Sequence, residues 1–192
     1  MGIPPTRVTP LYLAARNGHR DVIAILIEAE ADIDMCIYKE DGPALYCAVR
    51  NVDIRASELL MEAGADCNRT MPGCPLPIIV AVSWQSEELV RMLIDGGADV
   101  NLRSHNRRIY PIHVAASERS ISILDMLIEA GADISQVDED NNTPLHLSTG
   151  NDIEITKRLI RAGARMDIEG KYGRTPMERA RLCWKIDLST LI

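Results

Sequence analysis

The chain has 192 residues, a formal net charge of −7 and 46% hydrophobic residues, with no phenylalanine. This apolar fraction can fill an aliphatic core, whereas the negative charge argues against nucleic acid as a ligand. The five cysteines form no C-x-x-C pair, which is typical of reduced thiols and predicts a cytoplasmic or nuclear location. No apolar run approaches the roughly 18 residues that a membrane-spanning helix needs, so we expect no membrane insertion.

The first predicted element is a short helix from residue 10, followed by a second apolar helix across residues 22–27. The Thr9 hydroxyl can cap the first helix, and Pro10 suits its first position, where an N–H is not needed. The break between the two helices falls at residues 17–19, which read Asn-Gly-His. This region therefore predicts a helix–turn–helix unit.

The same unit returns along the whole chain. The run T-P-L-Y-L-A-A at residue 9 recurs in variant form from residues 43, 76, 110, 143 and 175, at steps of 34, 33, 34, 33 and 32 residues. Such a period predicts stacked supersecondary units that share one core. Leu76 replaces threonine at the start of the third repeat, so we expect a weaker cap there. The fifth repeat is one residue short near residues 150–152, and a single helix to about residue 184 is expected last.

A second motif closes most repeats with a glycine after the second helix. The glycines are Gly64, Gly97, Gly131 and Gly163, and Glu30 takes this position in the first repeat. A helix end of this kind favours a left-handed residue, which glycine adopts without steric penalty. We therefore expect Glu30 to be strained.

The closing glycine is followed by Ala-Asp in three repeats, at residues 64–66, 97–99 and 131–133. Together, this G-A-D motif and the T-P-L-Y/H run at the start of the repeats resemble the ankyrin-repeat family, whose repeat carries T-P-L-H-x-A at a period of about 33 residues. The resemblance implies an all-α ankyrin-repeat solenoid with β-hairpin finger loops, forming one domain over residues 1–192. The repeats would span residues 9–42, 43–75, 76–109, 110–142 and 143–174, with a partial sixth at 175–192. His113 and His146 recur at one repeat position and are interpreted as hydrogen-bonded scaffold residues.

No catalytic grouping stands out from the sequence. The phosphate-binding P-loop, the G-x-S-x-G elbow, the H-E-x-x-H zinc motif and the EF-hand loop are all absent. We therefore expect a protein that is not an enzyme and that needs no cofactor or metal.

The resemblance implies that a partner binds to the ends of the inner helices and to the finger loops. The matching inner-helix positions are Arg16, Asn17, Arg50, Asn51, Trp84 and Glu118, and the fourth finger adds Arg103, His105, Arg107 and Arg108. Trp and Arg are enriched in binding hot spots. The basic side chains favour an acidic or phosphorylated protein segment. In the alternative interpretation, the tryptophan packs on a neighbouring repeat and the arginines pair with nearby acids.

Three further expectations rest on the same resemblance. Ankyrin repeats of this kind are substrates of an asparaginyl hydroxylase that acts on the asparagine at the end of a G-A-D-V-N motif. Asn101 matches this motif fully and Asn68 matches it more loosely, so both are possible hydroxylation sites. The leading functional hypothesis is a monomeric, non-catalytic adaptor, scaffold or substrate-recognition segment. The alternative is a direct enzyme inhibitor, similar to the small ankyrin inhibitors of cyclin-dependent kinases.

Overall fold

The computed structural model describes residues 8–36, 42–69, 71–104, 108–184 and 188. This part of the chain is helical and contains no β-strand. Its helices are α1 (Pro10–Arg16), α2 (Arg20–Glu28), α3 (Ala44–Arg50), α4 (Ile54–Glu62), α5 (Pro77–Ser83), α6 (Glu87–Asp95), α7 (Pro111–Ser117), α8 (Ile121–Glu129), α9 (Pro144–Ser148), α10 (Ile153–Arg161) and α11 (Pro176–Trp184). A 3₁₀ turn, Lys171–Gly173, precedes α11. The all-α fold class and the helix–turn–helix repeat are thus confirmed.

The chain divides into two compact units. One comprises Met1–Asp99 with Ser104–Asn106, and the other comprises Val100–Arg103 with Arg107–Ile192. In the first unit, α3 packs between α1 and α5, and α4 packs between α2 and α6. In the second unit, α9 packs against α7 and α11, while α10 packs against α8. Each unit therefore has an inner helix layer and an outer helix layer, with the aliphatic core between them.

The helix caps follow the residues at the start of each inner helix. The Thr9 hydroxyl accepts a hydrogen bond from the Tyr12 N–H at 3.0 Å, as the sequence predicts. Leu76 makes no side-chain cap for α5, which confirms the weaker start of the third repeat. Helix α9 has only 5 residues because the fifth repeat is shortened before its turn.

The helix ends show where the backbone is strained. Glu30 has a φ of 56°, in the region that Gly64 and its equivalents occupy without penalty, so the expected strain is present. Val52 also has a positive φ, 55°, in the turn between α3 and α4, and a β-branched residue is a clear outlier there. The repeats thus impose one backbone geometry even where the residue disfavours it.

The finger loops close by turns within the described residues. In the finger that follows α8, the Asp138 N–H donates to the Asn142 carbonyl at 3.0 Å, and in the finger that follows α10, the Gly170 N–H donates to the Arg174 carbonyl at 2.8 Å. These bonds close the hairpin without extending into a ladder, so the expected β-hairpins have no strands in the described part of the fingers.

Both scaffold histidines are buried and hydrogen-bonded, which confirms their predicted role. The His146 Nδ1 accepts the Thr143 N–H at 3.0 Å, so its Nε2–H donates to the Arg174 carbonyl, also at 3.0 Å. His113 Nε2 pairs with the Asn142 carbonyl at 3.0 Å. Burial lowers the pKa of both imidazoles, which favours their neutral forms.

Candidate partner-binding surface

In the first unit, the ends of three adjacent inner helices present two arginines and a tryptophan. Arg16 and Arg50 are the last residues of α1 and α3, and Trp84 is the C-cap of α5. Both arginines are exposed, and Trp84 is 59% exposed. Because α3 packs against both neighbouring inner helices, these side chains lie on successive ridges of one surface. Most of the indole is therefore accessible to a partner.

The guanidinium of Arg50 is held by a buried tyrosine. It hydrogen-bonds the Tyr46 side chain, which is 8% exposed, and this bond raises the pKa of Arg50 above its usual range. Burial raises the pKa of the Tyr46 hydroxyl, and the Arg50 contact offsets part of that increase. Within the described residues, no carboxylate pairs with Arg16 or Arg50. The positive charge of both side chains is therefore available at the surface.

Asn51 has a different role from its neighbours on this surface. Its Nδ2 donates to the Arg16 carbonyl at 2.9 Å and to the Ala15 carbonyl at 3.3 Å, which caps the end of α1. Asn151 repeats this arrangement in the second unit by donating to the Ser117 carbonyl at 3.1 Å. Asn51 thus positions the Arg16 backbone, whereas the exposed Asn17 is the C-cap of α1 itself. Sequence position alone did not separate these two asparagines.

The remaining predicted contact residues lie at the end of α7 and in the fourth finger. Glu118 is the exposed C-cap of α7, and Arg103 and Arg108 are exposed. His105 and Arg107 lie outside the described residues. The structure thus places Glu118, Arg103 and Arg108 at the surface of the second unit.

Asn68 and Asn101 connect successive repeats through the same pair of hydrogen bonds. Asn68 donates to the Gly97 carbonyl at 3.0 Å and accepts the Asp99 N–H at 2.8 Å. Asn101 makes the equivalent bonds to Gly131 and Asp133, again at 3.0 and 2.8 Å. Both amides therefore act as structural links between fingers. A hydroxylase would meet asparagines whose side chains are already bound to the next repeat.

The described residues offer neither a metal site nor a membrane-spanning helix. Across residues 8–36, 42–69, 71–104 and 108–184, no three histidine, cysteine or acidic side chains are grouped closely enough to hold a metal ion. No helix in this described part of the chain is long and apolar enough to cross a membrane.

Comparison with known families agrees with this geometry. The family model described as "Ankyrin repeats (3 copies)" matches residues 3–71 and 112–183, and the model described as "Ankyrin repeat" matches residues 76–105. Together these matches cover most of the chain, which therefore belongs to the ankyrin-repeat family. Ankyrin repeats are protein–protein interaction modules and are generally non-catalytic.

Individual relatives share about half of the chain. Ankyrin repeat and SOCS box protein 14 of Mus musculus is 30% identical over an alignment of 107 residues that covers 52% of this chain and 18% of that protein. The B-cell lymphoma 3 protein homolog of Mus musculus is 32% identical over 100 residues, 52% of this chain and 22% of that protein. The chain thus aligns with less than a quarter of these relatives' length.

A solved structure supports the fold over nearly the whole chain. The crystal structure of the human ASB11 ankyrin repeat domain superposes with a TM-score of 0.76 at 23% identity. The match covers 95% of this chain and 81% of that one. At this identity, the likeness concerns the fold alone.

Proposed function

We propose that the chain is an adaptor or substrate-recognition module that binds a protein partner with the ends of its inner helices and its finger loops. The observation that carries this proposal is the exposed row formed by Arg16, Arg50 and Trp84 on three packed helices. Arginine and tryptophan dominate binding hot spots, where truncation of one side chain costs about 2 kcal/mol or more. The surface is also preorganised, because Arg50 is held by Tyr46.

Charge favours an acidic segment as the partner. The chain is acidic overall, with a net charge of −7, yet Arg16 and Arg50 have no described carboxylate partner. The exposed Arg103 and Arg108 add basic character to the fourth finger. Arginine binds carboxylate or phosphate groups in a bidentate geometry, which would give both affinity and orientation.

The relatives support a recognition role without fixing the partner. Several similar relatives, Ankyrin repeat and SOCS box protein 14 among them, are named for ankyrin repeats together with a SOCS box, and they are several times longer than the part that aligns with this chain. A segment that selects a partner for a larger assembly is consistent with that organisation.

The test is affinity capture from a cell lysate with three baits, read by mass spectrometry. The baits are the native chain, a Trp84→Ala/Arg50→Glu variant, and a control that carries Ile25→Ala and Arg91→Glu on the outer helices. Ile25 is 62% exposed and Arg91 is exposed, so the control removes similar apolar area and charge from another face.

We expect specific partners to be retained by the native and control baits and lost from the Trp84→Ala/Arg50→Glu bait. Circular dichroism must show that all three baits are folded. Partners that remain on all three baits would show that this surface is not the binding site.

A further inference from the structure

A basic cleft lies in the second unit, between the finger that follows α10 and helix α11. Its volume is about 360 Å³, within the range of 300–1,000 Å³ that is common for ligand sites. Three basic side chains line it, Lys171, Arg174 and Arg179, and none of its lining residues is acidic. Two exposed apolar side chains, Tyr172 and Leu182, also line it, together with Cys183 and, at its floor, Asn142 and His146.

The floor of this cleft is fixed by buried polar groups. Asn142 Oδ1 accepts the Lys171 N–H at 3.2 Å, and His146 Nε2 donates to the Arg174 carbonyl at 3.0 Å. A Cβ at Gly170 would lie 2.6 Å from His146 Nε2 and 2.8 Å from Asn142 Oδ1, so only glycine fits. The finger is thus held against α9 before any ligand arrives.

The positive charge of the cleft is only partly neutralised. Lys171 pairs with Asp140 at 2.9 Å. In contrast, neither Arg174 nor Arg179 has a carboxylate partner among the residues that the structure describes. Two guanidinium charges therefore remain uncompensated in one cleft. A phosphate monoester carries about −1.5 to −2 at pH 7 and matches them, whereas one carboxylate would neutralise only half of this charge.

The exposed apolar side chains point to a ligand with an apolar part. Tyr172 is 82% exposed and is held at a φ of 66°, a strained conformation for a non-glycine residue. Leu182 is 63% exposed on α11. A strained, exposed aromatic residue beside a basic cleft is costly to the free protein, which suggests a role in binding.

We propose that this cleft binds a phosphorylated peptide segment of a partner protein. Arg174 and Arg179 hold the phosphate, and the neighbouring apolar side chain of the peptide packs on Tyr172 and Leu182. The proposal rests on the proposed function in that the ligand belongs to a protein partner. It concerns a different surface from Trp84 and Arg50, so the two can be tested separately.

The experiment is an NMR titration of the ¹⁵N-labelled full chain that follows backbone amide and arginine Nε–H signals. The probe is a five-residue peptide with one phosphoserine flanked by leucines, and the comparison ligands are the same peptide with serine and inorganic phosphate. The variants are Arg174→Gln/Arg179→Gln and, as a matched control, Arg161→Gln/Arg165→Gln, which removes the same charge from exposed sites elsewhere in the unit.

We expect the phosphopeptide to shift the signals of Gly170, Gly173 and both cleft arginines, with affinity at least tenfold weaker in the Arg174→Gln/Arg179→Gln variant. The control variant should bind as the native chain does. A single Arg174→Gln variant, at an exposed residue, repeats the test if the double variant does not fold.

Three results would overturn the proposal. They are equal binding of the unphosphorylated peptide, equal affinity for inorganic phosphate alone, and shifts that lie outside the cleft. Because none of these depends on the lysate capture, failure here leaves the role of the Trp84 surface open to its own test.

Discussion

The link between the finger after α2 and the finger after α4 lacks one hydrogen bond that the next two links have. Asn68 and Asn101 each donate to a glycine carbonyl and accept an N–H from the following repeat. Asp34 takes the same position in the finger after α2 and only accepts, from the Asp66 N–H at 3.1 and 3.2 Å. A carboxylate cannot donate to the Gly64 carbonyl, which is the counterpart of the glycines in the later links. Asp34→Asn should therefore supply the missing bond.

The expected gain follows from the bonds in the other links. One added hydrogen bond contributes about 0.5–1.5 kcal/mol to stability. The substitution also removes a negative charge near Asp32, whose side chain accepts the Asp34 N–H. It weakens the charge-assisted bond to the Asp66 N–H, which offsets part of the gain. We expect a net increase of about 0.5–1 kcal/mol in the free energy of unfolding, or about 1–4 °C in Tm for a chain of this size.

The assay is thermal and urea unfolding at pH 7, followed by circular dichroism. The reverse change, Asn68→Asp, is the matched control and should lower Tm by a similar amount, because it deletes the donor to the Gly97 carbonyl. The reasoning would be refuted if Asp34→Asn left Tm unchanged while Asn68→Asp lowered it. In that case the first link does not share the geometry of the second.

Three further substitutions or conditions test the scaffold. Glu30→Gly should raise the free energy of unfolding by about 1 kcal/mol because it relieves a left-handed non-glycine residue, and Gly64→Ala should lower it; a lower Tm for Glu30→Gly would contradict the strain. Tyr110→Thr should raise the free energy of unfolding by about 1 kcal/mol, because the threonine hydroxyl would cap α7, whose N-cap Tyr110 makes no side-chain cap. The same hydroxyl would reach the His113 Nδ1, a buried atom with no hydrogen-bond partner in the described structure. An unchanged Tm would mean that the lost ring contact between Tyr110 and His113, at 5.5 Å between centroids, contributes as much as the new cap. Burial lowers the pKa of His113 and His146 below the ordinary 6.5, so the unfolded chain binds protons at a higher pH than the folded chain does. The free energy of unfolding should therefore fall as the pH drops below 6.5. Thermal unfolding from pH 7.5 to 5.5 measures this fall, which should be shallower in a His113→Gln variant.

The helix order could be predicted from the sequence because the repeat motifs encode it locally. Threonine, proline and glycine fix the helix starts and ends through their own backbone preferences, as at Thr9 and Gly64. The left-handed turn at Val52 could not be predicted, because valine disfavours that conformation and only the glycines at the equivalent turns of the first and fifth repeats, Gly18 and Gly150, hint at it. Stacking between repeats overrides the backbone preference of valine there. The identity of the residue therefore does not indicate its conformation.

The candidate surfaces differ in the same way. Arg16, Arg50 and Trp84 were found because repeat position defines which residues lie at inner-helix ends. The cleft around Arg174 could not be predicted, because its floor comes from His146 and its walls come from the next repeat. The hydrogen bond that joins them, from His146 to Arg174, spans 28 residues of sequence. A site that is formed by two repeats cannot be predicted from a motif that describes a single repeat.

Asn51 shows why exposure at a recognition position does not define a contact residue. Its amide is bound to two carbonyls at the end of α1, so a partner that bound it would have to break or share those bonds. Arg16, one repeat earlier, keeps its side chain available while Asn51 holds its backbone. Recognition can therefore vary at Arg16 without loss of the helix end, whereas a change at Asn51 alters the scaffold that presents Arg16.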